Sequence, residues 1–189
     1  IVAFEMNIGD SRIDICRING RSYAYEIKTE YDTFDRLGSQ MQDYLRTFEK
    51  VYVIVPIGRV SDVKNLIPES CGIISYRITK NREAVFSYQK CAQKNCCDIK
   101  FCLDSLSSGD MSYLLKLLNE KDFKTRADKR TRLLQIAATR SIWTPYRKLL
   151  RHKYADQWRF ITEHFDQILP VDIQSFFSSK MDPNLLYAK

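Results

Sequence analysis

The sequence lacks the features of membrane-spanning, secreted or disordered proteins. Its longest apolar run, residues 51–56, is too short to cross a bilayer, and six Gly and five Pro are too few for a linker. The six cysteines form no evident disulfide framework, because Cys96 and Cys97 are adjacent. The chain shows no secretory signal. It starts at Ile1, so we expect that a segment before this residue has been lost. These absences favour a globular, cytoplasmic protein without membrane contact.

Four cysteines occur within a short stretch and leave two interpretations open. They are Cys91, Cys96, Cys97 and Cys102. Zinc ligands are usually closer together, and Cys91 and Cys102 fall on predicted helices, where cysteine is a small buried hydrophobe. Core cysteines are therefore favoured over a metal or iron–sulfur site.

Positive charge is concentrated in the second half of the chain. Of the formal net charge of +7, residues 1–82 contribute +1, from 12 basic and 11 acidic side chains. Residues 124–153 hold ten Lys or Arg and the single acid Asp128. Such a segment is either a solvated helix face or a surface for a polyanion. We expect nucleic acid contacts there, from Lys124, Arg126, Lys129, Arg130, Arg132, Arg140, Arg147, Lys148 and Arg151.

Hydrophobic periodicity predicts an α/β core followed by helices. Alternating apolar residues predict strands near 2–8, 13–16 and 23–28, with turns at Gly9-Asp10 and Asn19-Gly20. A helix follows at about 34–48, with Asp32 or Thr33 as its N-cap, then strand 51–55, a short helix and strand 73–78 in a parallel crossover. We predict a core at 1–82 and a basic helical region at 83–189. Its helices are predicted at 83–94, 98–106, 110–119, 126–139, 141–152, 154–168 and 171–178.

The turns predict which residues of the first three strands face one another. A two-residue loop at Gly9-Asp10 pairs Glu5 with Asp14, and a three-residue loop at 19–21 pairs Asp14 with Glu26. A row of carboxylates results, with Lys28 further along the same face. The opposite, buried face would hold Phe4, Met6, Ile13, Ile15, Tyr25 and Ile27. Opposed carboxylates repel, so the row is either the wet face of an amphipathic sheet or a metal site.

The pattern Asp14…Glu26-Ile27-Lys28 resembles the PD-(D/E)XK signature of the restriction-endonuclease-like nuclease superfamily. Gln40-x-x-x-Tyr44 is similar to an element of its RecB-like branch, and residues 26–40 also resemble small bacterial proteins of this fold. The resemblance covers about residues 1–80. It implies a restriction-endonuclease-like core that hydrolyses phosphodiester bonds of DNA, in host defence, mobile-element biology or repair. The superfamily's usual first helix, with its acid, is missing from this chain.

The resemblance also implies a role for each matching residue. Asp14, Glu26 and the backbone carbonyl of Ile27 would bind Mg²⁺ or Mn²⁺, which prefer oxygen ligands, and Glu5 could add a further carboxylate. Lys28 would orient the attacking water or stabilise the transition state.

Helix residues would complete the site. Gln40 and Tyr44 would order it or contact DNA, and Arg36, on the same helix face, would bind nucleic acid. DNA is favoured over RNA as the partner. The rival interpretation is a non-catalytic module of the same fold that binds nucleic acid or a protein.

Overall fold

A computed structural model describes residues 1–168, and the helix predicted at 171–178 lies outside them. Six strands form one mixed sheet in the order β1-β2-β3-β4-β5-β6. The antiparallel meander β1–β3 and the parallel crossover β4–β5 confirm the predicted connections. β3 and β4 are also parallel, and β6 runs antiparallel to β5. The strands are β1 (Val2–Ile8), β2 (Ser11–Asn19), β3 (Arg21–Ile27), β4 (Lys50–Pro56), β5 (Gly72–Ile78) and β6 (Ala84–Lys90).

Seven α-helices occur among the described residues, five of them after the sheet. None is long and apolar enough to span a membrane. A short 3₁₀ turn, Ile57–Arg59, precedes the second helix. The helices are α1 (Leu37–Thr47), α2 (Val60–Lys64), α3 (Ile99–Asp104), α4 (Ser108–Leu117), α5 (Arg126–Thr139), α6 (Trp143–Lys153) and α7 (Ala155–Glu163).

The predicted strand register is confirmed at the pairs that form, but the predicted buried face is only partly right. Met6 and Ile13 belong to the main core, whereas Phe4, Ile15, Tyr25 and Ile27 do not. Ile15 pairs with Tyr25 and Met6 with Ile13, as expected. However, the carboxylate-bearing face of β3 is the one that the helices cover: Ala24 is fully buried and Glu26 is 2% exposed. Tyr25 is only half-buried and Ile27 is exposed. Ala24 and the β4 valines belong to the main core, so the tyrosine side of the sheet carries a separate, smaller cluster.

β1 changes the direction of its side chains at Glu5. This residue has φ of +52°, a left-handed conformation that non-glycine residues rarely adopt. The pairs on either side, Phe4–Ile15 and Met6–Ile13, keep one register. Strict alternation would put Ala3 and Met6 on opposite faces, yet both lie in the main core. The predicted alternation along β1 therefore fails at Glu5.

Two local predictions beyond the meander are wrong. Residues 84–90 form strand β6 and not part of a helix at 83–94, so the sheet continues past residue 82 and the C-terminal half is not entirely helical. The first helix begins at Leu37 after Arg36, without a side-chain cap. Asp32 instead accepts hydrogen bonds from the backbone and hydroxyl of Thr29, each at 2.6 Å.

The segment between β6 and α3, residues 91–98, is bonded to the carboxyl end of α1. The Asn95 side chain donates to the Leu45 carbonyl, and the Asp98 N–H donates to the Arg46 carbonyl at 2.7 Å. Helix ends leave carbonyls without intrahelical partners, and these donors satisfy two of them. We call residues 91–98 the connecting segment. Beyond it, residues of α3 to α6 join the same core as the sheet.

Candidate active site

Glu26 is the centre of a buried hydrogen-bonded cluster on β3. Its Oε1 accepts hydrogen bonds from Lys28 Nζ at 2.8 Å and Gln40 Nε2 at 2.9 Å. Its Oε2 lies 2.9 Å from the Tyr44 hydroxyl. A buried carboxylate requires such donors, since an unpaired charge away from water costs several kcal/mol or more. The cluster therefore unites residues from one strand and from α1.

Helix α1 positions Gln40 and Tyr44 because they are one turn apart on its buried face. The Tyr44 hydroxyl also lies 2.8 Å from the Arg12 carbonyl, so its single proton lies between two acceptors. Gln40 Oε1 accepts a hydrogen bond from Lys28 Nζ at 3.2 Å. Gln40 and Tyr44 thus each contact Glu26 and a second group. Burial and the negative charge of Glu26 raise the pKa of Tyr44, which keeps the phenol protonated.

Asp14 is a half-buried carboxylate beside this cluster. Its Oδ2 accepts a hydrogen bond of 2.6 Å from the Ile27 N–H. Burial, followed by the negative charges of Glu26 and Glu5, raises its pKa to about 6. The Ile27 N–H and the Lys28 ammonium oppose that shift. A carboxyl with a raised pKa next to other carboxylates is typical of a site that would gain from a bound cation.

Glu5 is the third carboxylate near Asp14. It is 8% exposed, and its Oε2 lies 2.6 Å from Arg12 Nε in an ion pair without hydrogen-bond geometry. This buried oxygen accepts no hydrogen bond from the part of the chain described. The Arg12 guanidinium therefore balances the charge of this carboxylate without a hydrogen bond.

The structure brings together the residues that the sequence singled out, and adds Arg12. Asp14, Glu26, Lys28, Gln40 and Tyr44 adjoin one another as expected. Arg12 contributes its carbonyl to Tyr44 and its guanidinium to Glu5. Sequence reasoning missed it because an arginine on a strand carries no signal of its own. Only its place two residues before Asp14 could have drawn attention to it.

The donor set fits a hard cation. Asp14 Oδ1 and Glu5 Oε2 accept no hydrogen bond within the described chain, and Glu26 Oε2 has a single donor nearby. Oxygen ligands of this kind suit Mg²⁺ or Mn²⁺. No group of three or more His, Cys, Asp or Glu side chains able to hold a metal occurs in residues 1–168. A site with Asp14, Glu26 and the Ile27 carbonyl would need only two such side chains.

Many of the basic side chains predicted to bind nucleic acid contact other parts of the protein. Lys129 is buried, and its Nζ donates to Ser112 Oγ at 2.6 Å and to Ser108. The expectation that its charge lies on the surface is therefore wrong. The others in this class contact nearby carboxylates or carbonyls: Arg126, Arg130, Arg132, Arg140 and Arg147.

A smaller group of predicted basic residues remains exposed. Arg36, Lys124, Lys148 and Arg151 lie at the surface and form no ion pair within residues 1–168. Arg36 precedes the first turn of α1, the helix that carries Gln40 and Tyr44. These side chains are the ones able to meet phosphates without breaking an internal contact.

The clustered cysteines are free thiols with different surroundings. Cys91 and Cys96 are exposed, Cys97 is half-buried and Cys102 is buried. Cys102 lies in helix α3 as predicted, whereas Cys91, which falls within the predicted helix 83–94, lies outside any helix. Burial raises the pKa of Cys97 and of Cys102 to about 12, which keeps both protonated. Protonated thiols are poor metal ligands, which favours the core interpretation for these two.

The fold and this cluster define a mixed α/β protein with buried carboxylates and a lysine at the centre of one sheet face. The chain belongs to the family described as bacteriophage P4 protein cII, whose profile matches residues 1–176. Protein cII of Enterobacteria phage P4 is 29% identical over 66 residues, which is 35% of this chain and 25% of that protein. The alignment thus spans about a quarter of that relative.

A solved structure gives a weaker similarity. A protein of unknown function from Silicibacter pomeroyi shares 15% identity at a TM-score of 0.40, over 62% of this chain and 78% of that one. This similarity is too low to assign a fold. None of the matching descriptions names an activity.

Proposed function

We propose that this protein is a metal-dependent nuclease with a restriction-endonuclease-like core, acting on DNA in the cytoplasm. The observation that carries the proposal is the cluster in which Glu26 contacts Lys28, Gln40 and Tyr44 while Asp14 lies beside it. The resemblance to PD-(D/E)XK nucleases rests chiefly on these residues, and their proximity in three dimensions supports it.

Asp14, Glu26 and the Ile27 carbonyl would hold Mg²⁺ or Mn²⁺. Glu5 is left out of this ligand set, because no three carboxylates of residues 1–168 are placed to share a metal. When bound, such a cation lowers the pKa of a water ligand and offsets charge on the phosphate. The Lys28 ammonium, held by Glu26 and Gln40, would stabilise the negative charge that develops on the phosphoryl oxygens. Gln40 and Tyr44 fix the orientation of the Glu26 carboxylate and act as positioning residues.

Exposed cations would hold the substrate near this cluster. Arg36 lies at the start of α1, and Lys124, Lys148 and Arg151 add positive charge on the helical half. Contacts to phosphate set affinity and orientation without reading base sequence. We therefore expect binding that falls steeply with salt and depends little on sequence.

The test is cleavage of end-labelled single-stranded and double-stranded DNA and RNA with Mg²⁺, Mn²⁺ or EDTA. We expect metal-dependent cleavage of DNA, which Glu26→Gln and Lys28→Met abolish. Glu69→Gln, which removes an exposed carboxylate elsewhere, is the matched control and should keep full activity. A folded wild-type protein that cleaves none of the four substrates with either metal would refute the proposal.

One observation favours the non-catalytic alternative, a module of the same fold that binds nucleic acid or a protein. Glu26 is 2% exposed, and donors of its own chain already contact both of its oxygens. A carboxylate bonded in this way can have a purely structural role. Melting temperature measured against Mn²⁺ concentration separates the two functions. A nuclease is stabilised through Asp14 and loses that effect in Asp14→Asn, whereas the alternative shows no metal effect in either protein.

A further inference from the structure

The side of the sheet opposite α1 carries an unusual concentration of aromatic residues. Strand pairing places them on one face: Tyr25 lies beside Tyr52, Ile74 beside Tyr88, and Tyr76 beside Phe86. None of the helices α1 to α6 contributes to the small core cluster here. We call this surface the aromatic face, formed by Tyr23, Tyr25, Tyr52, Tyr76, Phe86 and Tyr88.

Four of the six rings on the aromatic face form a continuous row, and Tyr76 and Phe86 form a separate pair. Tyr23 and Tyr25 stack with centroids 6.4 Å apart, and Tyr25 stacks on Tyr52 at 5.7 Å. Tyr88 meets Tyr52 edge-on at 5.8 Å. Phe86 and Tyr88, on the edge strand β6, remain 58% and 66% exposed. A folded protein rarely leaves large rings of one face so open unless they bind something.

The charges beside this row are positive. The Arg17 guanidinium lies 4.3 Å from the centroid of the Tyr23 ring, and Arg21 and Lys50 occupy neighbouring positions of the same face. No Asp or Glu occupies a position of β2 to β6 on this face. Burial, followed by the negative charges of Glu30 and Asp32, raises the pKa of Tyr76, so two carboxylates lie near that corner of the face.

We propose that the aromatic face binds single-stranded nucleic acid, with bases stacked on the exposed rings of Phe86 and Tyr88 and phosphates near Arg17. Aromatic rings interspersed with arginine suit a single strand, because every base has a π-face and every nucleotide a phosphate. A duplex keeps its bases stacked inside and cannot use these rings. The inference is independent of the proposed nuclease, since Glu26 lies on the other side of the sheet.

The test is fluorescence anisotropy of labelled oligodeoxythymidylate with the full chain in EDTA, so that no cleavage enters the measurement. Tyr88→Ala and Phe86→Ala should each weaken binding roughly 5- to 150-fold, the loss typical of one stacked base. Tyr31→Ala removes a tyrosine that is 94% exposed and lies outside the sheet, and it should bind as the wild type does. Oligouridylate in place of the DNA probe tells DNA from RNA.

Two further variants keep the proposal open to refutation. Tyr88→Leu retains an apolar side chain without a ring and should bind as weakly as Tyr88→Ala, and Arg17→Gln should reduce the salt dependence of binding. Absence of oligonucleotide binding, or equal binding by wild type and Tyr88→Leu, would overturn it. So would a wild-type dimer that Tyr88→Ala dissociates, because the face would then be an interface between copies of this chain.

Discussion

Replacing Asp14 by asparagine should stabilise the metal-free protein at neutral pH. The pKa of Asp14 is about 6 in the folded chain, against an ordinary value of 3.8. The folded state therefore binds more protons than the unfolded state between these pH values, and stability falls as pH rises through this window. Two pKa units correspond to about 2.7 kcal/mol, and partial solvent exposure reduces the effect to about 1–2 kcal/mol. Asparagine preserves shape and can still accept the Ile27 hydrogen bond.

Urea denaturation of wild type and Asp14→Asn at a series of pH values measures this effect. A range of about pH 3.5 to about pH 7.5 brackets the ordinary and the raised pKa of Asp14. The variant should match the wild type at the acid end and exceed it at neutral pH. Asp104→Asn is the control of opposite sign, since a hydrogen bond from Arg130 lowers the pKa of Asp104. It should lose stability at neutral pH and recover towards acid. A neutral-pH loss in Asp14→Asn would refute the electrostatic description of the site.

Three further predictions concern single side chains. Tyr44→Phe removes a buried hydroxyl between two acceptors and should cost about 1–3 kcal/mol in urea denaturation. Gly72→Ala places a methyl group 2.4 Å from the Tyr52 ring, so overpacking should lower stability by about 1–3 kcal/mol and lower the melting temperature. Lys129→Ala should destabilise the chain, because it removes buried contacts. Lys148→Gln should leave stability unchanged, and the slope of log binding constant against log salt concentration should become shallower by about 0.7–0.9.

The sequence predicted the register of the meander but not which face of β3 the helices cover. Turn chemistry at Gly20 and the alternation of β2 and β3 were sufficient to pair Ile15 with Tyr25. Helix packing then selected the face with small residues, where Ala24 lies, and not the more hydrophobic tyrosine face. Alternation reports which residues share a face, but the direction of burial depends on contacts distant in sequence.

The same limit explains the misassigned strand and the buried lysine. Residues 84–90 bury little of their surface, so core packing does not determine their conformation, and pairing with β5 does. Lys129 looked like a surface charge because charge density in a segment does not reveal hydroxyl partners such as Ser112. The strand part of the cluster, Asp14, Glu26 and Lys28, followed from register and spacing, whereas Gln40 and Tyr44 were expected there only from the resemblance to PD-(D/E)XK nucleases.

The connecting segment links the two halves of the chain through α1. One end of that helix receives donors from Asn95 and Asp98, and its buried face carries Gln40 and Tyr44. Withdrawal of the segment would leave helix-end carbonyls without partners, at about 1–3 kcal/mol each, and would free the helix to shift. Amide hydrogen exchange should therefore find α1 and the segment opening in one event, so that loosening the helical half also disorders the groups around Glu26.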